Sequence, residues 1–177
     1  MAILKVARMG HPVLRARARA LEPAELKGPT IQRLIHDMLE TMKEYQGIGL
    51  AAPQVHESVR LFVAGSTDEE HGFPLTVLAN PEITIAGPEV VEDWEGCLSI
   101  PDLRGRVPRA RQIQVRALDR QGRTVELKVS GFTARVMQHE TDHLDGVLFL
   151  DRIKSFESLT FLDEFGRYWS REDVLPE

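Results

Sequence analysis

The sequence contains little cysteine and no long apolar run. Its only cysteine, Cys97, cannot form a disulfide within the chain, which favours a reducing compartment. No apolar stretch reaches the roughly 18 residues that a membrane-spanning helix needs, so no membrane association is expected. The N-terminal apolar stretch is too short for a secretory signal and is interrupted by Lys5 and Arg8. These absences make the cytoplasm the expected location.

The sequence also lacks an excess of positive charge. Its 22 lysine and arginine residues are outnumbered by 27 aspartates and glutamates, which gives a formal net charge of −5. Because nucleic-acid-binding proteins usually present a basic face, no specific nucleic-acid partner is expected. The arginines that cluster along the sequence are expected to form a solvated face or local salt bridges. These are Arg15, Arg17, Arg19, Arg104, Arg106, Arg109 and Arg111.

Length and hydrophobic spacing predict one α+β catalytic domain over residues 1–177. A chain of 177 residues with 42% hydrophobic and 28% charged residues fits one soluble domain with a single core. Apolar residues at three- and four-residue spacing predict a helix over 29–45, and a second helix is predicted over 131–145. Between them, alternating β-branched runs predict antiparallel strands. We therefore expect antiparallel sheets packed around the late helix.

Local signals place the strands and one turn more closely. Residues 119–122, Asp-Arg-Gln-Gly, predict a hairpin turn between the last two strand-like runs. Residues 154–177 are rich in aromatic side chains and are expected to pack back on the domain, in a form that the pattern does not assign. The strand-like runs are VRLFVAG at 59–65, LTVLANPEITIAG at 75–87, RQIQVRALD at 111–119 and TVELKVSG at 124–131.

A metal-binding pattern lies in the second predicted helix, in the sequence His139-Glu140-Thr141-Asp142-His143. Residues four apart share one face of a helix, so His139 and His143 can direct ring nitrogens at one ion. Glu140 is rotated from His139 by about 100°. Its carboxylate can therefore flank the ion without ligating it and carry a proton. The pattern alone is also compatible with a surface helix that carries two solvated histidines.

The third protein ligand decides between the possible classes of protein. Catalytic sites of this kind usually combine three protein ligands with one water. One type of protease would have a histidine where Phe149 stands, and another would use a glutamate such as Glu164. The upstream alternative is Cys97, whose thiolate would complete a tetrahedral set. A zincin-like protease and a non-catalytic metal-binding or peptide-binding module therefore remain alternatives to a hydrolase that depends on Cys97.

Three longer motifs resemble those of the peptide deformylase family. They occur in the family's order and are GIGLAAPQ at 47–54, EGCLS at 95–99 and QHETDH at 138–143. The resemblance extends from about residue 5 to 153 and is strongest to the bacterial and organelle enzymes in which the third motif is intact. It implies a hydrolase that removes the N-formyl group from the initiator methionine of newly synthesised polypeptides and releases formate.

The resemblance also implies roles for residues within the motifs. Glu140 would be the general acid and base, while the Gln54 side-chain amide and the Leu98 backbone N–H would face the formyl oxygen. One divalent metal ion per chain is implied, with Fe²⁺ named first and Zn²⁺, Ni²⁺ or Co²⁺ also suited to the ligands. The implied metal ligands are Cys97, His139 and His143, with water as the fourth.

For the substrate, the resemblance implies an extended peptide that pairs with strand edges near Ile48 and Gly96. Gly49 would allow a tight backbone path beside it, and Arg104 would lie near the peptide. The implied partners are N-formylmethionyl nascent peptides and, transiently, the ribosome. The positions that match the family's apolar pocket for methionine are Ile48, Leu98 and Val136.

Two departures from the family pattern concern the late helix and the tail. Thr141 stands where relatives often carry a larger hydrophobic residue. The tail after residue 153 lacks the basic helix that some relatives use to approach the ribosome, and its end, 171–177, is acidic. Asp142 is expected either to support a histidine ligand or to pair with Arg106 or Arg109.

Overall fold

Two antiparallel sheets form the frame of the computed structural model, which describes residues 2–67 and 72–170. One sheet has the strand order β1-β2-β3-β6-β7 and the other the order β4-β5-β8. The strands are β1 (Gly49–Ala51), β2 (Leu61–Ser66), β3 (Phe73–Ile85), β4 (Val90–Cys97), β5 (Ile100–Ala110), β6 (Gln112–Leu118), β7 (Thr124–Ser130) and β8 (Thr160–Phe161). The helices are α1 (Pro23–Leu26), α2 (Pro29–Glu44), α3 (Gly131–Leu144) and α4 (Leu162–Tyr168). The neighbouring strands pair antiparallel, so the expected α+β class is confirmed.

The five-stranded sheet is covered by α2 on one face and by α3 on the other. Along β2, Leu61 and Val63 belong to the buried cluster that contains residues of α2, whereas Phe62 and Ala64 belong to the cluster that contains residues of α3. Because successive side chains of a strand point to opposite faces, the first four residues of β2 must all be apolar to serve both clusters. A third buried cluster contains Cys97 and packs against β4 and β5.

Both long helices end within one residue of their predicted positions. α3 is stopped by a Schellman motif, in which the N–H of Val147 donates to the carbonyl of Asp142 and that of Gly146 to the carbonyl of His143. Gly146 has a φ of +73°, a backbone conformation that favours glycine.

Within residues 2–67 and 72–170, no helix is both long enough and apolar enough to cross a membrane.

The second sheet departs most from the predicted elements. β6 and β7 pair as the predicted hairpin, but β4 and β5 are not among the four runs that the sequence predicts as strands. A glycine and charged residues interrupt the alternation in both strands, and two prolines interrupt it further in β5, which hides both strands from a pattern of period two. Cys97 pairs with Ile100 across a two-residue turn formed by Leu98 and Ser99.

The C-terminal segment packs back on this second sheet, as expected for the aromatic tail. Phe161 of β8 pairs with Leu103 of β5, and the ring of Phe165 in α4 contacts Trp94. The acidic end at 171–177 lies outside the described residues. The segment before α1 also contains a short 3₁₀ turn, Pro12–Arg15.

The substitution Gly146→Ala is expected to lower the free energy of unfolding by about 2–4 kcal/mol, because it combines a left-handed backbone with overpacking. An added Cβ would lie 2.5 Å from the carbonyl oxygen of Arg15. Gly131→Ala separates the two effects, since Gly131 has a φ of +59° but no neighbour within 4 Å of the added Cβ. It is expected to cost about 1–2 kcal/mol.

Urea unfolding of the two variants measures the difference. Gly166→Ala is the matched control, because Gly166 lies in α4 with nothing within 4 Å of an added Cβ. Equal losses for Gly146→Ala and Gly131→Ala would show that the contact with Arg15 contributes nothing.

Candidate metal centre and active site

Three potential metal ligands converge where β4 ends against α3. The Sγ of Cys97 lies 3.3 Å from Nε2 of His143, and that nitrogen lies 3.2 Å from Nε2 of His139. Each of the three residues offers a ligand atom within 4.8 Å of the other two. Tetrahedral coordination with ordinary metal–sulfur and metal–nitrogen bonds would separate these atoms by about 3.6 Å and about 3.3 Å. The donor set therefore fits one divalent ion.

The local fold brings these ligands together from distant parts of the sequence. The pairing of β4 with β5 changes register between Glu95 and Cys97, so Gly96 lies at an irregularity just before the thiol. His139 and His143 lie one helical turn apart on the buried part of α3. The bulged end of β4 and one face of α3 thus supply the whole set.

Glu95 fixes the orientation of His139. Its Oε2 atom lies 2.9 Å from Nδ1 of His139, so an ionised Glu95 accepts a hydrogen bond from the Nδ1–H group and leaves the unprotonated Nε2 to face the centre. Burial alone would raise the pKa of Glu95, but hydrogen bonds from His139 and Arg109 and their charges lower it to about 2. The carboxylate is therefore charged at all ordinary pH values.

Two buried arginines complete this network. Arg109 donates to both oxygens of Glu95, at 2.9 and 3.0 Å, and Arg135 donates to Oε1 at 2.8 Å. Arg109 also donates to Asp142 at 2.5 Å, and Asp142 accepts a further bond from Arg152 at 2.7 Å. Of the alternatives expected for Asp142, the structure has the ion pair with Arg109.

The sequence interpretation missed Glu95, Arg109 and Arg135 as parts of the site. A usable signal exists for Glu95, which stands inside the EGCLS motif two residues before the thiol. No comparable signal marks the two arginines, because their approach to Glu95 depends on the β4–β5 hairpin and on the packing of α3.

The thiol of Cys97 is set up to ionise. Burial raises its pKa, but the charge of His143 and hydrogen bonds to His139 and His143 outweigh burial and hold the pKa well below the usual value. A thiolate is the form that ligates a metal ion. Nδ1 of His143 is buried and has no hydrogen-bond partner among the described residues.

Glu140 lies next to this cluster, with its carboxyl group against the Cα atom of Gly49. A Cβ added to Gly49 would overlap Oε1 of Glu140, so only glycine leaves room for the carboxyl group there. Oε2 of Glu140 is buried without a hydrogen-bond partner among the described residues. Burial raises the pKa of Glu140 to about 7, although the charges of His139 and His143 act in the opposite direction. A carboxyl group with this pKa can accept and return a proton near neutral pH.

The side-chain amide of Gln54 has a fixed orientation. Its Oε1 accepts a hydrogen bond of 2.8 Å from the N–H of Ala51, which directs the NH₂ group toward the metal ligands. Nε2 lies 3.5 Å from Sγ of Cys97 and 3.2 Å from the hydroxyl oxygen of Ser99. Gln54 and Ser99 are both buried, so this donor is held in place before any substrate arrives. Ser99 is a further part of the site that the sequence interpretation missed.

A cleft of about 770 Å³ opens onto these groups and is lined by all of the residues predicted to contact substrate. Arg104 lies over Gly96, since a Cβ on this glycine would overlap the Arg104 guanidinium. Burial lowers the pKa of Arg104. The predicted residues that line the cleft are Ile48, Gly49, Gly96, Leu98, Arg104 and Val136, together with Gln54, Cys97, His139 and Glu140.

Neither position considered for a protease-type third ligand supplies a donor atom to this cluster. Glu164 is a partly exposed residue of α4 and accepts a hydrogen bond from Arg167 at 2.9 Å. Phe149 stacks on His139, with ring centroids 6.3 Å apart. Among residues 2–67 and 72–170, Cys97, His139 and His143 form the only such group of three that could hold a metal ion.

Comparison with known proteins identifies relatives along most of the chain. A family model described as polypeptide deformylase matches residues 3–158. Peptide deformylase 1 of Prochlorococcus marinus is 44% identical over 170 residues, which cover 93% of this chain and 88% of that protein.

Solved structures show the same likeness in three dimensions. The Met-Ala-Ser-bound class I type b peptide deformylase of Acinetobacter baumannii has a TM-score of 0.82 at 39% identity, over 86% of this chain and 99% of that chain. The peptide deformylase of Thermus thermophilus has a TM-score of 0.78 at 47% identity, over 86% of each chain.

The substitution Glu95→Gln is expected to weaken metal binding by about 10- to 100-fold, the usual effect of losing the partner of a histidine ligand. The neutral amide also leaves the buried Arg135 without its carboxylate partner, whereas Arg109 keeps Asp142. Competition with a chelator for Co²⁺ measures the affinity. Glu89→Gln is the matched control, because Glu89 pairs with Arg111 on the surface. A folded Glu95→Gln protein with unchanged Co²⁺ affinity would contradict the orienting role of Glu95.

Proposed function

The chain belongs to the polypeptide deformylase family, and we propose that Cys97, His139 and His143 hold the catalytic metal ion of this enzyme. The resemblance seen in the sequence is thereby confirmed. The protein is a metal-dependent hydrolase that removes the formyl group from N-formylmethionine. The observation that carries the assignment of roles is the convergence of one sulfur and two imidazole nitrogens beside a buried carboxyl group.

We propose one divalent ion per chain, with Fe²⁺ as the physiological metal. A thiolate and two imidazoles also suit Zn²⁺, Ni²⁺ and Co²⁺, so the ligand chemistry alone does not select iron. The choice of Fe²⁺ follows the resemblance to deformylases. When bound, the ion supplies Lewis acidity that polarises the formyl carbonyl and makes the attacking water more acidic.

Glu140 is the proposed carrier of the proton. As water attacks the formyl carbon, Glu140 accepts a proton from the water, and it then donates that proton to the nitrogen of methionine as the carbon–nitrogen bond breaks. The products are formate and a peptide with a free amino group. The pKa of about 7 supports this role, because the group can hold the proton in one step and lose it in the next.

Gln54 and Leu98 are the proposed donors to the formyl oxygen as negative charge develops on it. The NH₂ group of Gln54 is directed to the centre by the hydrogen bond between Ala51 and Oε1. Leu98 is the first residue of the two-residue turn after Cys97, a position whose N–H the strand ladder does not use. Removing one such donor typically costs about 10²–10³ in kcat.

The substrate peptide is proposed to lie extended in the cleft, with its backbone near Ile48 and Gly96 and its methionine side chain in an apolar pocket. The Met-Ala-Ser-bound relative supports a short peptide as the ligand of this cleft. Arg104 is proposed to lie near the peptide, and Gly49 to leave room for the carboxyl group of Glu140. The proposed pocket residues are Ile48, Leu98 and Val136.

We further propose that residues 1–177 act as one catalytic unit in the cytoplasm. The substrate class supports this location, because N-formylmethionine begins nascent chains where they are synthesised. A transient encounter with the ribosome is part of the proposal for the same reason. The single cysteine, which has no disulfide partner in the chain, is consistent with a reducing environment.

The substitution Glu140→Gln is expected to lower formate release by about 10²–10⁴-fold, because the amide cannot carry the proton. The test uses formyl-Met-Ala-Ser with anaerobically prepared, iron-loaded protein, and metal content is measured in parallel. The amide keeps the packing against Gly49, so the metal should be retained. Glu164→Gln, on the surface of α4, serves as the control and should release formate at the normal rate. Absence of formate from the unmodified protein would remove the assigned activity.

The substitution Cys97→Ala is expected to abolish tight metal binding, because two imidazoles remain where three ligands are needed. Glu164→Ala is expected to leave metal content unchanged. Elemental analysis after gel filtration separates the two cases. The reverse pattern, with metal lost only in Glu164→Ala, would support a protease-type centre and contradict the proposed ligand set.

A further inference from the structure

The C-terminal segment 160–169 lies against the substrate cleft, beyond the part of the chain that the family model matches. That match ends at residue 158. Two residues later, β8 pairs antiparallel with β5, so that Thr160 stands opposite Arg104 and Phe161 opposite Leu103. Arg104 lines the cleft over Gly96. The backbone of the segment is thus joined to the sheet directly beside the cleft.

Aromatic packing holds α4 in the same place. The ring of Phe165 lies 4.9 Å from that of Trp94, and the ring of Trp169 lies 5.6 Å from it. The guanidinium of Arg106 lies over Trp94 at 5.1 Å, within the range of a cation–π contact. Trp94 directly precedes Glu95 and also lines the cleft. The segment is therefore anchored to β4, the strand that carries Cys97.

Leu162, the first residue of α4, forms part of the cleft wall. It lines the same cavity as Cys97 and Glu140 and is 41% exposed. A second cavity of about 480 Å³ is lined by Leu162, Asp102 and Asp163. The first cavity shares Leu162 and Asp102 with the second. Leu162 thus stands between the cleft and a neighbouring cavity that none of the metal ligands lines.

We infer that Leu162 is a specificity-determining residue that contacts the substrate peptide beyond its methionine and favours apolar side chains there. The inference rests on the proposed function, because it takes the occupant of the cleft to be a formylated peptide. A nascent chain continues past its first residue, and an extended peptide advances about 3.3 Å per residue. The following residues must therefore leave the centre along the cleft, and an exposed leucine on its wall gains from contact with an apolar side chain.

The two residues shared by the walls of the two cavities argue for the peptide as the occupant of this wall. The exposed apolar side chain belongs to the wall of the same cavity that the metal ligands Cys97 and His139 line, so no separate partner is needed to cover it. A second copy of the chain is the competing occupant, and the experiment distinguishes the two.

The test compares formate release from formyl-Met-Ala-Leu-Leu-amide and formyl-Met-Ala-Ser-Ser-amide. The ratio of their kcat/KM values is expected to be about 4 to 15 in favour of the leucine peptide, the effect of burying one or two methylene groups. In Leu162→Ser the ratio is expected to fall to about 1. Tyr168→Ser is the matched control, because Tyr168 lies in the same helix, is 71% exposed and does not line the cleft. It should keep the full ratio.

Three outcomes would overturn the inference. If Leu162→Ser hydrolyses both peptides with the unmodified ratio, Leu162 does not select substrates, although the deformylase assignment stands. If gel filtration shows a dimer that Leu162→Ser abolishes while the ratio stays the same, the wall binds a second copy instead. If the unmodified protein releases formate from neither peptide, the proposed function fails together with the inference. Thermal unfolding of both variants shows that each is folded under the assay conditions.

Discussion

The carboxylate of Glu95 is the interaction on which the rest of the site depends. It accepts hydrogen bonds from His139 on α3, from Arg109 on β5 and from Arg135 on α3, and it stands on β4 itself. One charged group therefore joins the second sheet to the helix that carries the histidines. A lone buried carboxylate would be strongly unfavourable, but three donors from two elements compensate the loss of hydration. The hydrogen bonds that stabilise the buried charge of Glu95 include the one that sets the ring orientation of the proposed metal ligand His139.

The pKa of Glu140, the proposed acid–base group, is shifted in the opposite direction from that of Glu95. Glu140 has no arginine partner among the described residues and keeps one oxygen buried without a hydrogen bond. Glu95 and Glu140 are thus two buried carboxyl groups close to the same histidines, with pKa values of about 2 and about 7. Difference in hydrogen bonding, rather than difference in burial, separates a permanent anion from a group that can exchange a proton.

The parts of the protein that could be predicted from the sequence are those with a local period or a contiguous motif. α2 and α3 follow from apolar spacing, and the convergence of His139 with His143 follows from the helical repeat. Joining Cys97 to them required a resemblance between motifs, because no periodicity links the end of a strand to a helix far along the chain. The partners of Glu95 could not be predicted, since they depend on the β4–β5 hairpin, whose glycines, prolines and charges conceal its strands.

The Schellman motif at Gly146 has an electrostatic consequence besides ending α3. Because the helix stops at Leu144, His143 lies in its last turn, close to the carbonyl end of the helix dipole. That end carries about half an elementary negative charge. A bound cation would therefore sit near a counter-charge made of peptide groups, which no change of pH can titrate. A longer helix would move this fixed charge away from the ion. The position of the left-handed Gly146 therefore also determines how much of the ion's charge the backbone balances.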